Sequence, residues 1–222
     1  MTIKGVVFDL DDTLYLERDF VKSGFQEVDN FLKKKGVMSE FYPLAWDLFL
    51  SGKRGDIFNR VLVSRDKYFD SNLISEMVEV YRAHKPRINL LDDAKWALSY
   101  YHKIYEISLI SDGNLNTQKN KFNSLNIKNF FSKTYFTDFW GKKYWKPNSH
   151  VFRIFEKDIG LSGHKCVYIS DNPLKDFIAP NKLGWRTIQI LRSNGEYSMC
   201  KPPENGIPDL KVSSLLDLKD IL

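Results

Sequence analysis

Apolar and polar positions follow two rhythms along the chain. Residues 3 to 8, Ile-Lys-Gly-Val-Val-Phe, make a short apolar run with β-branched side chains, the pattern of a buried strand. From about Glu17 to His84 the rhythm turns helical. Phe20, Phe25, Val28, Phe31 and Leu32 recur on one face, and the run breaks at Lys35-Gly36. Further helices are expected at roughly 39–50, 56–64 and 71–83, divided by Ser51-Gly52 and by Asp70-Ser71-Asn72 with its capping side chains. No strand is expected in this block.

Beyond Pro86, helices and strands take turns. A helix near 91–102 leads to a strand over 104–110, a helix near 114–126 and a strand around 133–137. The next helix is expected to begin at Pro147, a favourable first-turn residue, and to run to Ile159. A strand over 166–169, a helix over 173–182 and a last clear strand over 187–191 complete the series. Such alternation predicts an α/β fold with a parallel sheet and right-handed crossovers. The expected architecture is a doubly wound, Rossmann-like core from residues 1–15 and 86–222, with a helical insert at 16–85. The tail from Ser193 to Asp209, rich in Pro, Gly and Asn, reads as a long surface connection.

Composition narrows the class only a little. An apolar fraction of 43% and 14% aromatics suit a globular protein with a sizeable core. No stretch reaches the length of a membrane span, and the first strand begins so near Met1 that no signal peptide is expected. The expected location is therefore the cytoplasm. Cys166 and Cys200 match no zinc-ligand or disulfide spacing, and Cys166 heads an apolar run that belongs in the core. The net charge of +5 comes from scattered lysines such as Lys33, Lys34 and Lys35, without the concentrated basic stripe that nucleic acid requires. Neither nucleic acid nor membrane is an expected partner. Small anionic substrates fit a mild basic excess.

The chemistry lies at the strand ends, where doubly wound sheets bind their ligands. In "GVVFDLDDTLY" the first strand is followed by Asp9, Asp11, Asp12 and Thr13. The second is followed by Ser111, Asp112 and Gly113, the fourth by Ser170, Asp171 and Asp176, and Lys146-Pro147 precedes the helix after the third. Carboxylates gathered in this way repel one another, and a hard divalent cation such as Mg²⁺ relieves the repulsion. An EF-hand loop starting at Asp9 is excluded, because its sixth and twelfth positions hold Leu14 and Phe20. Taken singly, Ser111 reads equally well as a helix cap and Lys146 as a surface lysine.

Four segments in order, "DLDDT" at 9–13, "LISDG" at 109–113, "KP" at 146–147 and "SDNPLKD" at 170–176, resemble the four motifs of the haloacid dehalogenase superfamily. The resemblance implies phosphoryl transfer through an aspartyl-phosphate. Asp9 would be the nucleophile. Asp11 would protonate the leaving alcohol and then activate water. Mg²⁺ would be held by the Asp9 carboxylate, the Asp11 carbonyl and Asp171. Ser111, the amides of Asp112 and Gly113, and Lys146 would bind phosphoryl oxygens. Asp176 would orient Lys146 or a metal-bound water, Thr13 would fix the turn, and Asp12 reads as a turn residue. His150 and His164 fall outside the motifs.

Members that are similar to dehalogenases and phosphonatases lack an aspartate at the position of Asp11, so its presence implies cleavage of a phosphate ester. The P-type ATPase pattern, with lysine after the nucleophile, is absent. Residues 14–108 separate the first two motifs, which implies a helical cap of the C1 type at 16–85, whereas the span from Ser111 to Lys146 leaves no room for a second large cap. "SGKRGD" at 51–56 resembles a cap specificity loop, with Lys53 or Arg54 reaching the substrate, and a solvated basic turn is the plain alternative. Taken together, the expected protein is a Mg²⁺-dependent phosphatase, monomeric or homodimeric, acting on a small phosphorylated metabolite such as a nucleoside monophosphate or sugar phosphate. A phosphomutase of the β-phosphoglucomutase kind and a non-catalytic binding protein on the same fold are the alternatives.

Overall fold

Gly5–Phe8 (β1) is buried along its whole length, as a strand covered on both faces of its sheet must be. The computed structural model describes residues 2–222 and adds β2 (Glu106–Ser111), β3 (Lys133–Phe136), β4 (Cys166–Ser170), β5 (Arg186–Ile190) and β6 (Leu210–Val212). All six pair in parallel, in the order β3-β2-β1-β4-β5-β6. The chain winds outward from β1 to β2 and β3, then returns to the other side for β4, β5 and β6. The order reverses between β1 and β4, which makes the carboxyl ends of those two strands the expected ligand crevice.

The helices, in chain order, are α1 (Glu17–Lys34), α2 (Phe41–Leu50), α3 (Ile57–Ser64), α4 (Ser71–Ala83), α5 (Asp92–Tyr101), α6 (Leu115–Ser124), α7 (His150–Ile159) and α8 (Ile178–Lys182). The chain forms two compact units. One comprises the residues up to Glu17 together with Ile88–Leu222, and the other is Arg18–Arg87. In the first, the core packs Val7, Ile110, Phe152, Phe155, Tyr168 and Trp185, with the Phe155 and Trp185 rings 5.0 Å apart. Cys166 lies in that core, as its apolar run implied. The second unit is wholly helical. Its centre is aromatic: Phe25 meets Phe41 and Phe58 edge-on at 6.3 and 6.2 Å, and Tyr81 closes on Phe20 and Phe58 at 5.3 and 5.8 Å.

Three elements differ from expectation. α7 begins at His150, and Pro147 lies before it, after a cis Lys146-Pro147 bond. α8 begins at Ile178, because residues 172–177 turn to direct Asp176 inward and only then coil. β6 was not foreseen. It is a three-residue edge strand whose single buried position, Val212, shows no readable alternation.

Candidate active site

Asp9 is the first residue past β1, and its amide donates to the Ile169 carbonyl at 2.9 Å, one step from the end of β4. Asp171 follows the end of β4, so the two stand side by side at the reversal of strand order. The carboxylates of Asp9, Asp171 and Asp176 each offer an oxygen within 4.8 Å of the others. All three are buried. Burial, together with the Asp9 and Asp176 charges, pushes the Asp171 carboxyl well above the usual carboxylate range. Asp9 is pushed up to about 6 by burial, with Lys146 opposing the shift and Asp176 adding to it.

Lys146 anchors this cluster. Its ammonium donates to Asp9 Oδ1 and Tyr168 Oη, each at 2.9 Å, and stands 3.0 Å from Asp176 Oδ1. Asp176 and Asp9 hold it charged in spite of its burial. Lys175 adds a second cation, 2.7 Å from Asp112 Oδ2 and 3.0 Å from Asp176 Oδ1. Asp176 also accepts from the Ser170 hydroxyl. Burial raises the Asp176 carboxyl, but Lys146 and Lys175 outweigh it and hold the group below its ordinary value. Two lysines and a hydroxyl thus already satisfy Asp176, whereas Asp9 and Asp171 keep oxygens for a hard cation. The donor set fits Mg²⁺, with Asp9 and Asp171 as the direct carboxylates and Asp176 as the brace of Lys146.

The second motif forms the facing wall. Ser111, at the end of β2, is 1% exposed, and its Oγ accepts from Gln118 Nε2 at 2.7 Å. The Asp112 carboxylate is occupied by its own neighbours: Oδ1 accepts from Thr137 Oγ1 at 2.7 Å and from the Lys146 amide at 3.2 Å. It therefore fixes the loop that carries Lys146. Gly113 adopts φ +127°, and a Cβ there would lie 3.1 Å from Gln118 Cδ, so only glycine fits without strain.

Asp11 is turned toward α6. One of its oxygens accepts from Lys121 Nζ at 2.7 Å and from the Tyr15 hydroxyl, and the other from Gln118 Nε2 at 2.7 Å. Burial raises the Asp11 carboxyl, yet Lys121 and these hydrogen bonds leave it below the ordinary range. Glu17, 3.7 Å from Lys121, is pushed up to about 7 by burial and by Asp11.

Two residues of the turn act differently from their sequence reading. Thr13 Oγ1 is buried and has no hydrogen-bond partner among the described residues, so its hydroxyl does not fix the turn. The backbone does, through Thr13 N and Leu14 N to the Leu10 carbonyl, while the Thr13 carbonyl accepts from Arg192 Nη2. Asp12, at φ 48°, does more than turn the chain. It accepts from the Glu17 amide at 2.8 Å and the Glu196 amide at 2.9 Å, tying α1 and the segment after β5 to the turn.

The structure thus brings together Asp9, Lys146, Asp171 and Asp176, and links Asp11 to Ser111 through Gln118. Arg54 lies in the other unit, in the turn after α2. Its guanidinium donates to the Phe49 and Lys53 carbonyls and covers the Phe49 ring at 4.0 Å. Lys175, Gln118, Lys121 and Arg192 escaped the sequence reading. Gln118 and Lys121 are three residues apart in a polar helix, a spacing that puts both on one face but equally describes a solvated surface.

Comparison with known proteins agrees with this geometry. Residues 6–190 match the family model described as haloacid dehalogenase-like hydrolase. A glyceraldehyde 3-phosphate phosphatase of Methanocaldococcus jannaschii is 26% identical over 233 residues, covering 99% of this chain and 97% of that one. An N-acylneuraminate-9-phosphatase of Mus musculus is 22% identical over 249 residues, covering 99% of this chain and 94% of the relative. Among solved structures, the magnesium-bound HAD-hydrolase YfnB of Bacillus subtilis superposes with a TM-score of 0.74 at 17% identity, covering 100% of this chain and 99% of that one.

Proposed function

The chain belongs to the haloacid dehalogenase-like hydrolase family, and from that premise we propose that it is a Mg²⁺-dependent phosphatase of small sugar phosphates. The observation that carries the reading is Asp9. It stands at the reversal of strand order, ion-paired to Lys146 and beside the cation-ready Asp171. Both named relatives act on esters of a sugar-type carbon skeleton, and in each the phosphate sits on a primary alcohol. A primary-alcohol phosphate of a triose or sugar is therefore the proposed substrate class.

In the proposed reaction, an Asp9 carboxylate oxygen attacks phosphorus and the ester P–O bond breaks. The departing alkoxide takes a proton from the carboxyl form of Asp11, which its resting contacts with Lys121, Tyr15 and Gln118 disfavour, leaving an acyl phosphate on Asp9. Asp11, now a carboxylate, takes a proton from water as that water attacks phosphorus. Inorganic phosphate leaves, and the Asp9 carboxylate is restored. Lys146, Ser111 and the amides of Asp112 and Gly113 hold the phosphoryl oxygens and stabilise their charge. A divalent cation held by Asp9, Asp171 and the Asp11 carbonyl supplies neutralisation of that charge when bound. Residues 18–87 are the proposed C1-type cap, with Lys53 or Arg54 as the proposed contact for the substrate.

Phosphate release tests the proposal. The panel is 4-nitrophenyl phosphate, glyceraldehyde 3-phosphate, hexose phosphates and nucleoside monophosphates, each assayed with Mg²⁺ and with chelator. The expected result is Mg²⁺-dependent release, led by a sugar or triose phosphate and reduced to background by Asp9→Asn. A sugar 1-phosphate isomerised without free phosphate would instead make the chain a mutase.

A further inference from the structure

Asp11 is gripped from outside its own turn. Lys121 Nζ and Gln118 Nε2 each lie 2.7 Å from one of its two oxygens, and both side chains come from the same face of α6. Lys121 is only 3% exposed. An ammonium so covered is tolerated only against a carboxylate, and Asp11 at 2.7 Å and Glu17 at 3.7 Å both supply one. Gln118 spends its amide twice, on Asp11 and on Ser111 Oγ at 2.7 Å. It thereby fixes the distance between the carboxylate and the hydroxyl at the end of β2. A Cβ added at Gly113 would lie 3.1 Å from Gln118 Cδ, so the glycine keeps the place of this side chain clear.

We infer that Lys121 and Gln118 are positioning residues that aim the Asp11 carboxylate at the leaving oxygen and the attacking water. The inference rests on Asp11 being the acid–base group of a phosphatase, as proposed above. Loss of their hold on Asp11 is felt where a proton must be delivered, whereas the bond from Gln118 to Ser111 serves both substrates alike. An alkoxide leaving group needs that proton, whereas 4-nitrophenolate departs nearly as well without it. A residue that merely stabilised the fold would slow both reactions alike.

The test compares kcat/KM on 4-nitrophenyl phosphate with kcat/KM on the first-ranked sugar phosphate of the panel, both with Mg²⁺. Lys121→Met is expected to lose about 100-fold on the sugar phosphate but about tenfold or less on the aryl ester. Lys121→Arg recovers most of the loss. Gln118→Leu keeps the buried ion pair, and so stays folded if Lys121→Met does not. It shows selectivity in the same direction on top of a loss common to both substrates, because it also frees Ser111 Oγ. In an Asp11→Asn background, Lys121→Met changes aryl ester turnover by less than about threefold, because the group it positions is gone. Equal losses on both substrates, or a full additional loss in the Asp11→Asn background, would overturn the inference while leaving the phosphatase intact. A wild-type protein that releases no phosphate from any compound removes the phosphatase reading and this inference with it.

Discussion

Arg192 shows how much of the site is held by a residue that never enters it. One guanidinium nitrogen donates to the Thr13 carbonyl and another, at 2.6 Å, to Asp93 Oδ2 on α5. Asp93 also accepts from the Leu215 amide at 2.8 Å and Ser214 Oγ at 3.2 Å, so through Arg192 a single carboxylate joins the turn after β1 to the last turns of the chain. Burial raises the Asp93 carboxyl, but Arg192 and the Leu215 amide outweigh it and hold the group below its ordinary value. A carboxyl with a depressed folded value stabilises the fold above its unfolded pKa, and that stability drains away as pH falls through the folded value. Asp93→Asn is therefore expected to lower unfolding stability by about 2–3 kcal/mol at pH 7, read from urea melts. The gap from wild type should narrow below about pH 4, where Asp93 of the unfolded chain takes up a proton before the folded carboxyl does. A gap that stays constant to pH 3 would mean that the tie contributes through packing and not through charge.

At the scale of elements, periodicity predicted well wherever a stretch was long and amphipathic. α1 matched its apolar face, α4 its expected range, and β1, β2 and β4 their apolar runs. It failed where a side chain overrode local propensity. Residues 173–177 read as helix, yet Asp176 must meet Lys146 and Lys175, and the chain turns before α8 to allow it. The polar face of α6 read as solvated surface because nothing in Gln118 and Lys121 alone announces that Asp11 lies opposite them. Gly24 carries a prediction of its own. In mid-helix, alanine ordinarily gains about 1 kcal/mol over glycine. Here an added Cβ would stand 2.5 Å from the Tyr81 ring, which Phe20, Phe25 and Phe58 hold in place. Gly24→Ala should thus destabilise the helical unit by about 1–3 kcal/mol in urea unfolding, against its propensity. Stabilisation would show that Tyr81 rotates away freely.

For the whole molecule, the order of four short motifs was the most legible feature, because three fall at the carboxyl ends of strands, Lys146-Pro147 lies between β3 and α7, and the sheet brings those strand ends together. The segment after β5 was the least legible. Its Pro, Gly and Asn content reads as a surface connection, and yet the Glu196 amide seals the buried Asp12 and Arg192 grips Thr13. Those bonds run through backbone groups, which leave no mark in a sequence. All of these features serve one claim, that Asp9 takes up the phosphoryl group. The most direct measurement quenches the Mg²⁺ reaction of the Asp11→Asn protein with acid during turnover of 4-nitrophenyl phosphate and weighs the peptide containing Asp9. The account predicts that this peptide gains the mass of one phosphoryl group, and that Asp9→Asn abolishes the gain. Turnover with no phosphorylated peptide, or with the group on another residue, would contradict it.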